Sequence, residues 1–482
     1  MNYLTRTQLL LISIFLVVNV TLFVNSKDNT PYPNGPILNA TYHNASDGQR
    51  YWGVALNLVE KGKFSIPQLW DSRPDTPLAR SGPLSPLVFA LFIKLVGFDN
   101  APLLIVIFQC GLLYVMSLLG RQLAVPFSSH QTLVQLLILF NPNLIGLAHH
   151  AQSDIVFAFI FTVILYLINR ILITPHNISR TSFLLLGGLA GLLCLTRHIG
   201  LMVSIVLPIA LAISLCFHLD RKTLPIKTII IGVCTATLVF FIIIFPWSAR
   251  NYLTFQVFSP VTHQSSQLHY NLARLVSYNS STKDVDIFIN DLITSELVNN
   301  GQSLCIKENP HPRSCRKAIE RAYIHGILIQ PWPHILKASI SASIRTLFTG
   351  GSTRIINYLG IDDKETYLHI LRPFDSQTIR NILSSVTNSG NAYLLVMSLT
   401  TGFAIALRFF GFLGLYKSLT YRHLLSINIF YLLTIFSYLV TYFVVSTSRF
   451  RAPLEPILIL YATIGLTNFV NFIKEAISTR AQ

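Results

Sequence analysis

The chain has 482 residues, with 36 Lys and Arg against 20 Asp and Glu, a formal net charge of +16. Hydrophobic residues make up 52% of it and charged residues only 12%, about half the charge density of a soluble globular protein. That much apolar material excludes an ordinary water-soluble enzyme and a disordered chain. The basic excess is scattered among apolar runs rather than gathered on a nucleic-acid-binding face. It marks the cytoplasmic loops of a polytopic membrane protein.

Runs of about 17 to 25 apolar residues are long enough to cross a bilayer as helices. In chain order the sequence predicts ten: 8–24, 101–120, 131–147, 155–174, 182–197, 200–217, 228–246, 391–416, 424–446 and 453–473. The first follows Arg6 as a secretory signal would, but no small-residue cleavage site follows it convincingly, and it reads as an anchor. The run Pro83–Gly97 reaches only about 22 Å at ~1.5 Å per residue, against a hydrocarbon layer of ~30 Å. It is expected to lie at or dip into the interface without crossing. The inner segments then hold Arg6, Arg121, Arg170, Arg180, Arg221, Lys222, Lys227, Lys417, Arg422, Lys474 and Arg480, against Asp220 and Glu475 alone. If Pro83–Gly97 crossed, the basic loop 218–227 would face outward and the bias would weaken.

The expected fold is an all-α polytopic bundle of about ten transmembrane helices with extracytoplasmic loops and juxtamembrane helices. Three regions follow: an N-terminal membrane module over 1–246, which includes a first outer loop at 25–100, a large extracytoplasmic helical region over 247–390, and C-terminal membrane helices over 391–482. Helical patterning around Arg316–Gln330 and His334–Phe348 implies short helices in the middle region. No internal duplication of the transporter kind is visible.

Six cysteines are too few for a disulfide scaffold. Cys110, Cys194, Cys216 and Cys234 lie in or beside apolar runs and read as buried small hydrophobes. Cys305 and Cys315 bracket a polar segment. In an oxidising compartment a short-loop disulfide and two free thiols are both open to them.

Two acids stand at the mouths of spans on the same outer face. Asp47 precedes apolar positions at helical spacing, Val54, Ala55, Leu58 and Val59, and fits an N-cap. It fits equally a general base acting on an incoming nucleophile, with Arg50, Tyr51 and Trp52 beside it for a charged, ring-bearing ligand. Asp154 begins the run 155–174 and carries the same two readings. His149 and His150 suit metal ligation, a proton shuttle or ordinary interface positions. Arg197, Arg250, Arg449 and Arg451 all fall on the outer side. Snorkelling explains any one of them. Together they suit a cradle for an anionic headgroup, because guanidinium forks match phosphate oxygens. Arg408, inside an apolar run, either snorkels or pairs with an acid. No Gly-rich phosphate loop is present. The residues require no cofactor, and a divalent metal is compatible with them.

In order along the chain stand Asp47 with Arg50-Tyr-Trp52, Leu78-Ala-Arg-Ser-Gly-Pro-Leu-Ser-Pro86, Asn141-Pro-Asn143 followed by Asp154, Gly191-Leu-Leu-Cys-Leu-Thr-Arg197, Pro246-Trp-Ser-Ala-Arg-Asn-Tyr252 and Arg449-Phe-Arg-Ala-Pro-Leu-Glu-Pro456. This series resembles the GT-C glycosyltransferases, in particular the branch of the dolichyl-phosphate-mannose protein mannosyltransferases and lipid A aminoarabinose transferases. The resemblance implies catalysis on the outer face of a bacterial-type inner membrane. A sugar passes there from a polyprenyl-phosphate donor to a lipid, glycan or protein acceptor, with inversion. It implies that Asp47 activates the acceptor, that Asp154 is the second acid, and that Arg250 and Arg449, with Arg451 and Arg197, lie near the lipid phosphate. Arg50, Tyr51, Trp52, Arg80 and Tyr252 would line the substrate. The partners implied are the lipid-linked donor, its acceptor and membrane lipids, with no nucleic acid. Two departures stand out: Gly48 follows Asp47 where protein mannosyltransferases carry Asp-Glu, and Arg80-Ser-Gly stands where many relatives place an acid. The rival readings are a transporter or flippase of lipid-linked sugars and a non-catalytic envelope scaffold.

Overall fold

The computed structural model describes residues 6–28, 47–65, 77, 82–127, 130–174, 179–217, 226–260, 264–277, 282–299, 313–359, 391–445 and 447–480. Among these the chain is helical apart from turns and one isolated bridge between Ser65 and Pro77. The helices are α1 (Arg6–Asp28), α2 (Asp47–Lys61), α3 (Leu84–Val96), α4 (Ala101–Leu123), α5 (Gln131–Leu139), α6 (Pro142–Ala148), α7 (Asp154–Ile173), α8 (Arg180–Thr196), α9 (Ile199–Cys216), α10 (Ile226–Phe255), α11 (Gln264–Val276), α12 (Thr282–Asn299), α13 (Arg313–Leu328), α14 (Trp332–Phe348), α15 (Ser352–Tyr358), α16 (Asn391–Leu419), α17 (Leu425–Tyr442) and α18 (Glu455–Arg480). A 3₁₀ segment, Ser448–Leu454, joins α17 to α18.

Among the described residues every predicted apolar run is helical over most of its length. Among the described residues eight helices are long and apolar enough to span a membrane, and α8 is a shorter apolar helix of 17 residues. The run 131–147, expected as one span, is two helices bent by 50°. The cause is local. Pro142 has no N–H to continue the ladder and disfavours a helical residue before it. Asn141 accordingly turns extended and accepts hydrogen bonds from the amides of Asn143 at 3.0 Å and Leu144 at 3.3 Å. Elsewhere α10 continues through Pro246 to Phe255 and carries Arg250 and Tyr252 on its last turns.

The main core joins α4 to α9 with α17 and α18. α16 and α18 pack backbone to backbone: a Cβ at Gly414 would lie 1.8 Å from the Tyr461 carbonyl oxygen, and one at Gly465 1.9 Å from that of Phe410. Small residues of this kind let membrane helices approach where no hydrophobic force draws them together. A separate core unites α2, α3 and the start of α4 around Trp52, which is 1% exposed between the rings of Phe89 and Phe98. A third holds α11, α12 and α13 around Leu272, Ile289, Ile319 and Cys315. Cys315 is fully buried and disulfide-bonded. Its expected partner, Cys305, lies outside the described residues.

Candidate functional site

Asp154 is the first residue of α7 and is 3% exposed. The capping position belongs to Ser153, and the Asp154 carboxylate is given over to two guanidinium groups. Arg449 Nε donates to both of its oxygens at 2.8 Å, and Arg197 Nη1 donates to Oδ1. Arg197 sits in the extended link between α8 and α9, and Arg449 in the 3₁₀ segment. A carboxylate and two arginines removed from water are expensive unless paired. Their pairing pins three distant segments to one point.

The walls of this cluster are aromatic and polar. Tyr442 stacks on Phe450 with centroids 3.9 Å apart, and the Arg197 guanidinium lies 6.0 Å from the Phe450 ring centre. Tyr51 of α2 meets Ser153 across a 3.0 Å hydroxyl–hydroxyl hydrogen bond. That bond sets the first turns of α2 beside the mouth of α7. Asn143 of α6 donates to the Ser448 carbonyl at 2.9 Å. Its side-chain oxygen accepts from Arg354 of α15 at 3.5 Å. His149 Nε2 and Asn19 Oδ1 are 2.9 Å apart, and Gln109 donates to the His150 carbonyl at 2.8 Å. Burial pushes His149 down to about 4. Burial, then the positive charges of Arg354 and Arg449, hold His150 well below the usual imidazole range. Both rings are neutral at ordinary pH.

A second buried cluster lies two residues along the same 3₁₀ segment. Glu455 is fully buried, and Arg408 Nη2 donates to both of its oxygens at 3.0 Å. Arg451 Nε donates to Oε1 of the same carboxylate. The two arginines also satisfy the last carbonyls of α14: Arg451 donates to Thr346 at 2.9 Å and to Thr349, and Arg408 donates to Leu347 at 3.0 Å.

The arginines expected to converge therefore divide. Arg197 and Arg449 meet at Asp154, whereas Arg451 joins Arg408 at Glu455. Arg250 stands in an aromatic cage, 4.8 Å from the Trp247 ring centre, 5.2 Å from Phe255 and 5.4 Å from Phe64. It donates to the Phe64 carbonyl at 3.3 Å and so fastens the end of α2 to α10. Trp52 is core between α2 and α3, Arg50 is half-buried, and Tyr252 is exposed on α10. Asp47 is the first residue of α2; its side chain, like Arg80, lies outside the described part of the structure. Arg354 and the pair of Tyr438 and Tyr442, whose hydroxyls lie 3.4 Å apart, carry no sequence signal. Arg354 sits in a polar stretch without motif, and the tyrosines pass for apolar-run filling. Among the described residues no group of three or more His, Cys, Asp or Glu is placed to hold a metal.

No protein-family model matches the chain, and no curated protein matches it in sequence. Among solved structures, ArnT from Cupriavidus metallidurans bound to undecaprenyl phosphate aligns over 94% of this chain and 77% of its own, with 14% identity and a TM-score of 0.39. Its apo state gives 13% identity and a TM-score of 0.37. The archaeal oligosaccharyltransferase AglB from Archaeoglobus fulgidus, in complex with an inhibitory peptide and a dolichol-phosphate, aligns over 98% of this chain with 15% identity and a TM-score of 0.50. This chain spans about half of that one, 51%. The helical membrane fold described here is similar to the fold of that AglB structure.

Proposed function

We propose that the protein is a membrane glycosyltransferase that moves a sugar from a polyprenyl-phosphate donor to an acceptor, on the face that carries Asp154. By the distribution of Lys and Arg this is the outer face. The observation that carries the reading is the pair of guanidinium groups, Arg197 and Arg449, held on one buried carboxylate at the mouth of a span. A polyprenyl chain lies in lipid, so its phosphate sits at headgroup level. Fixed arginines there match its oxygens and stabilise the negative charge that develops as the glycosidic bond breaks. The fold supports the reading, because the AglB structure of the same fold holds a dolichol-phosphate.

In this mechanism Asp154 acts as a positioning residue that presents the two arginines. Asp47, at the start of α2, serves as general base. The acceptor oxygen attacks the anomeric carbon while the bond from that carbon to the phosphate oxygen breaks. The phosphate leaves with the bonding electrons, and the acceptor proton passes to the Asp47 carboxylate. In-line attack inverts the anomeric centre. Arg250 and Arg451, in their separate clusters, hold the walls.

The test uses purified full-length protein in liposomes with a radiolabelled polyprenyl-phosphate sugar. Wild type should release polyprenyl phosphate and deliver the label to added membrane acceptors, Arg449→Ala should do so about a hundredfold more slowly, and Asp47→Asn should not. An intact donor with wild-type protein would overturn the reading. Undiminished turnover in Asp47→Asn would overturn the base assignment alone.

A further inference from the structure

Helix α1 is held to the bundle along one edge. Leu11 and Phe15 join the main core. Asn19 Oδ1 lies 2.9 Å from His149 Nε2 and accepts from the Cys110 thiol of α4 at 3.3 Å. Away from that edge α1 and α4 part and leave a crevice between them. Its walls are stripes at four-residue intervals: Ile12, Leu16 and Val20 on α1, and Leu103, Ile107 and Gly111 on α4. This part measures about 490 Å³. A Cβ added at Gly111 would meet nothing within 4 Å. One turn further along each stripe stand Gln8 on α1 and Val115 on α4, and both line a second hollow of about 410 Å³.

The two ends of the crevice differ in chemistry. The first hollow is almost wholly apolar, whereas the second gathers Gln8, Arg121, Gln122 and Tyr166 of α7 at its mouth. By the distribution of Lys and Arg this polar mouth is at the inner face. The Asp154 cluster is far from it by two independent routes. Gln109, which holds the His150 carbonyl, is about 18 Å from Arg121 along α4. Asn19, which meets His149, is about 17 Å from Gln8 along α1. Arg121 therefore serves no phosphate bound at Arg197 and Arg449.

The dimensions select an occupant. From Arg121 up to Gly111 the helix rises about 15 Å, half of a hydrocarbon layer ~30 Å thick. That is the depth of one lipid chain in one leaflet. The crevice opens sideways to the bilayer, since Leu103, Ile107 and Val115 are exposed. Arg121, half-buried at headgroup level, offers a guanidinium fork that matches phosphate oxygens. The amides of Gln8 and Gln122 and the Tyr166 hydroxyl add neutral hydrogen bonds. Basic residues at the inner surface draw anionic lipids in particular.

We propose that this crevice is a binding site for one anionic phospholipid of the inner leaflet. The phosphate rests on Arg121 among Gln8, Gln122 and Tyr166, and one acyl chain runs up between α1 and α4 along Leu118 and Val115 to Gly111. The chain supplies the packing that α1 lacks on this side, and so steadies Asn19, which holds His149. The site is separate from the Asp154 cluster and stands independently of the transfer chemistry.

The experiment measures lipid retained by the delipidated full-length protein in detergent, titrated with phosphatidylglycerol or with phosphatidylcholine of identical chains. Mass spectrometry counts the bound lipid, and the unfolding temperature is read on the same samples. Wild type should bind phosphatidylglycerol about tenfold more tightly than phosphatidylcholine and unfold at a higher temperature with it. Soluble glycerophosphate, a headgroup without a chain, should give no such rise. Arg121→Gln should lose the preference between the two lipids. Val115→Trp should lose retention of both, because a helical side chain leans over the preceding turn and the indole fills the space at Gly111. Equal binding of the two lipids by wild type overturns the proposal, as does a preference that survives in Arg121→Gln or retention unchanged in Val115→Trp. A full temperature rise with glycerophosphate would leave an anion site without a chain. Displacement of phosphatidylglycerol by equimolar polyprenyl phosphate would give the crevice to the sugar donor. Either result also overturns it. Should Val115→Trp fail to fold, the lipid preference of wild type against Arg121→Gln decides alone.

Discussion

Arg449 Nε lies 2.8 Å from each carboxylate oxygen of Asp154, across 295 residues of sequence. Arg197 donates to the same carboxylate, so Asp154 pairs with both guanidinium groups, one buried and one largely buried. Asp154→Asn should lower stability by about 3–5 kcal/mol, the usual cost of breaking a buried pair from one side. It should also abolish sugar transfer. Thermal unfolding in detergent and the radiolabelled-donor assay check the two effects separately. Arg449→Ala should cost transfer about a hundredfold, as loss of one fixed donor to a developing anion does.

Glu455 supports structure rather than chemistry, and its substitution should read differently. Glu455→Gln leaves Arg408 and Arg451 buried without their shared carboxylate. Destabilisation of about 3–5 kcal/mol is expected, seen as a lower unfolding temperature. Donor affinity per folded molecule should change less than in Arg449→Ala, which a binding titration on the surviving folded fraction would measure.

The Tyr51–Ser153 hydrogen bond joins α2 to α7. Tyr51→Phe should cost about 1 kcal/mol, since the Ser153 hydroxyl loses one buried partner. The loosened α2 should lower transfer several-fold while donor affinity holds. Measuring apparent donor affinity and turnover in the same preparation checks the division.

The folded protein holds His149 neutral down to about pH 4, whereas an unfolded chain takes up a proton near pH 6.5. Between these values the unfolded state binds more protons, so stability rises with pH and is lost on acidification through that window. Unfolding temperature measured from pH 7 to pH 4 should fall less steeply in His149→Gln than in wild type.

Gly414→Ala should be among the most damaging small substitutions. The added methyl meets the Tyr461 carbonyl 1.8 Å away, and that atom belongs to a helix backbone that cannot swing aside. Gly402→Ala, where nothing lies within 4 Å, is the matched control. Yields of folded protein by size-exclusion chromatography should separate the two.

The spans were legible because length and apolarity are all that a bilayer asks of a helix. Asn141-Pro142 hid a bend inside one such run, since hydropathy takes no account of a missing amide hydrogen. The helix of Asp47 and its amphipathic spacing were readable locally. What spacing could not tell was which arginine goes to which acid: Arg449 and Arg451 are two residues apart, and the 3₁₀ segment sends one to Asp154 and the other to Glu455. Arg408 was readable as a cation needing either headgroups or an acid, and Glu455 supplies the acid. The helices expected around Arg316–Gln330 and His334–Phe348 stand as α13 and α14. Serines, Lys337 and Arg345 dilute the mean hydropathy of α14, so its single apolar face escapes any test that averages around the helix.

Because Arg449 is contributed just before α18, the arrangement around Asp154 is completed late in the synthesis of these residues. Asp154 and Arg197 are already threaded through the translocon while the ribosome still has some 250 residues to add before that arginine emerges, at ~5–20 residues per second. A chain cut short by a premature stop before residue 449 holds a carboxylate with one guanidinium partner in place of two. By the transfer reaction proposed above, such truncated products should be inactive.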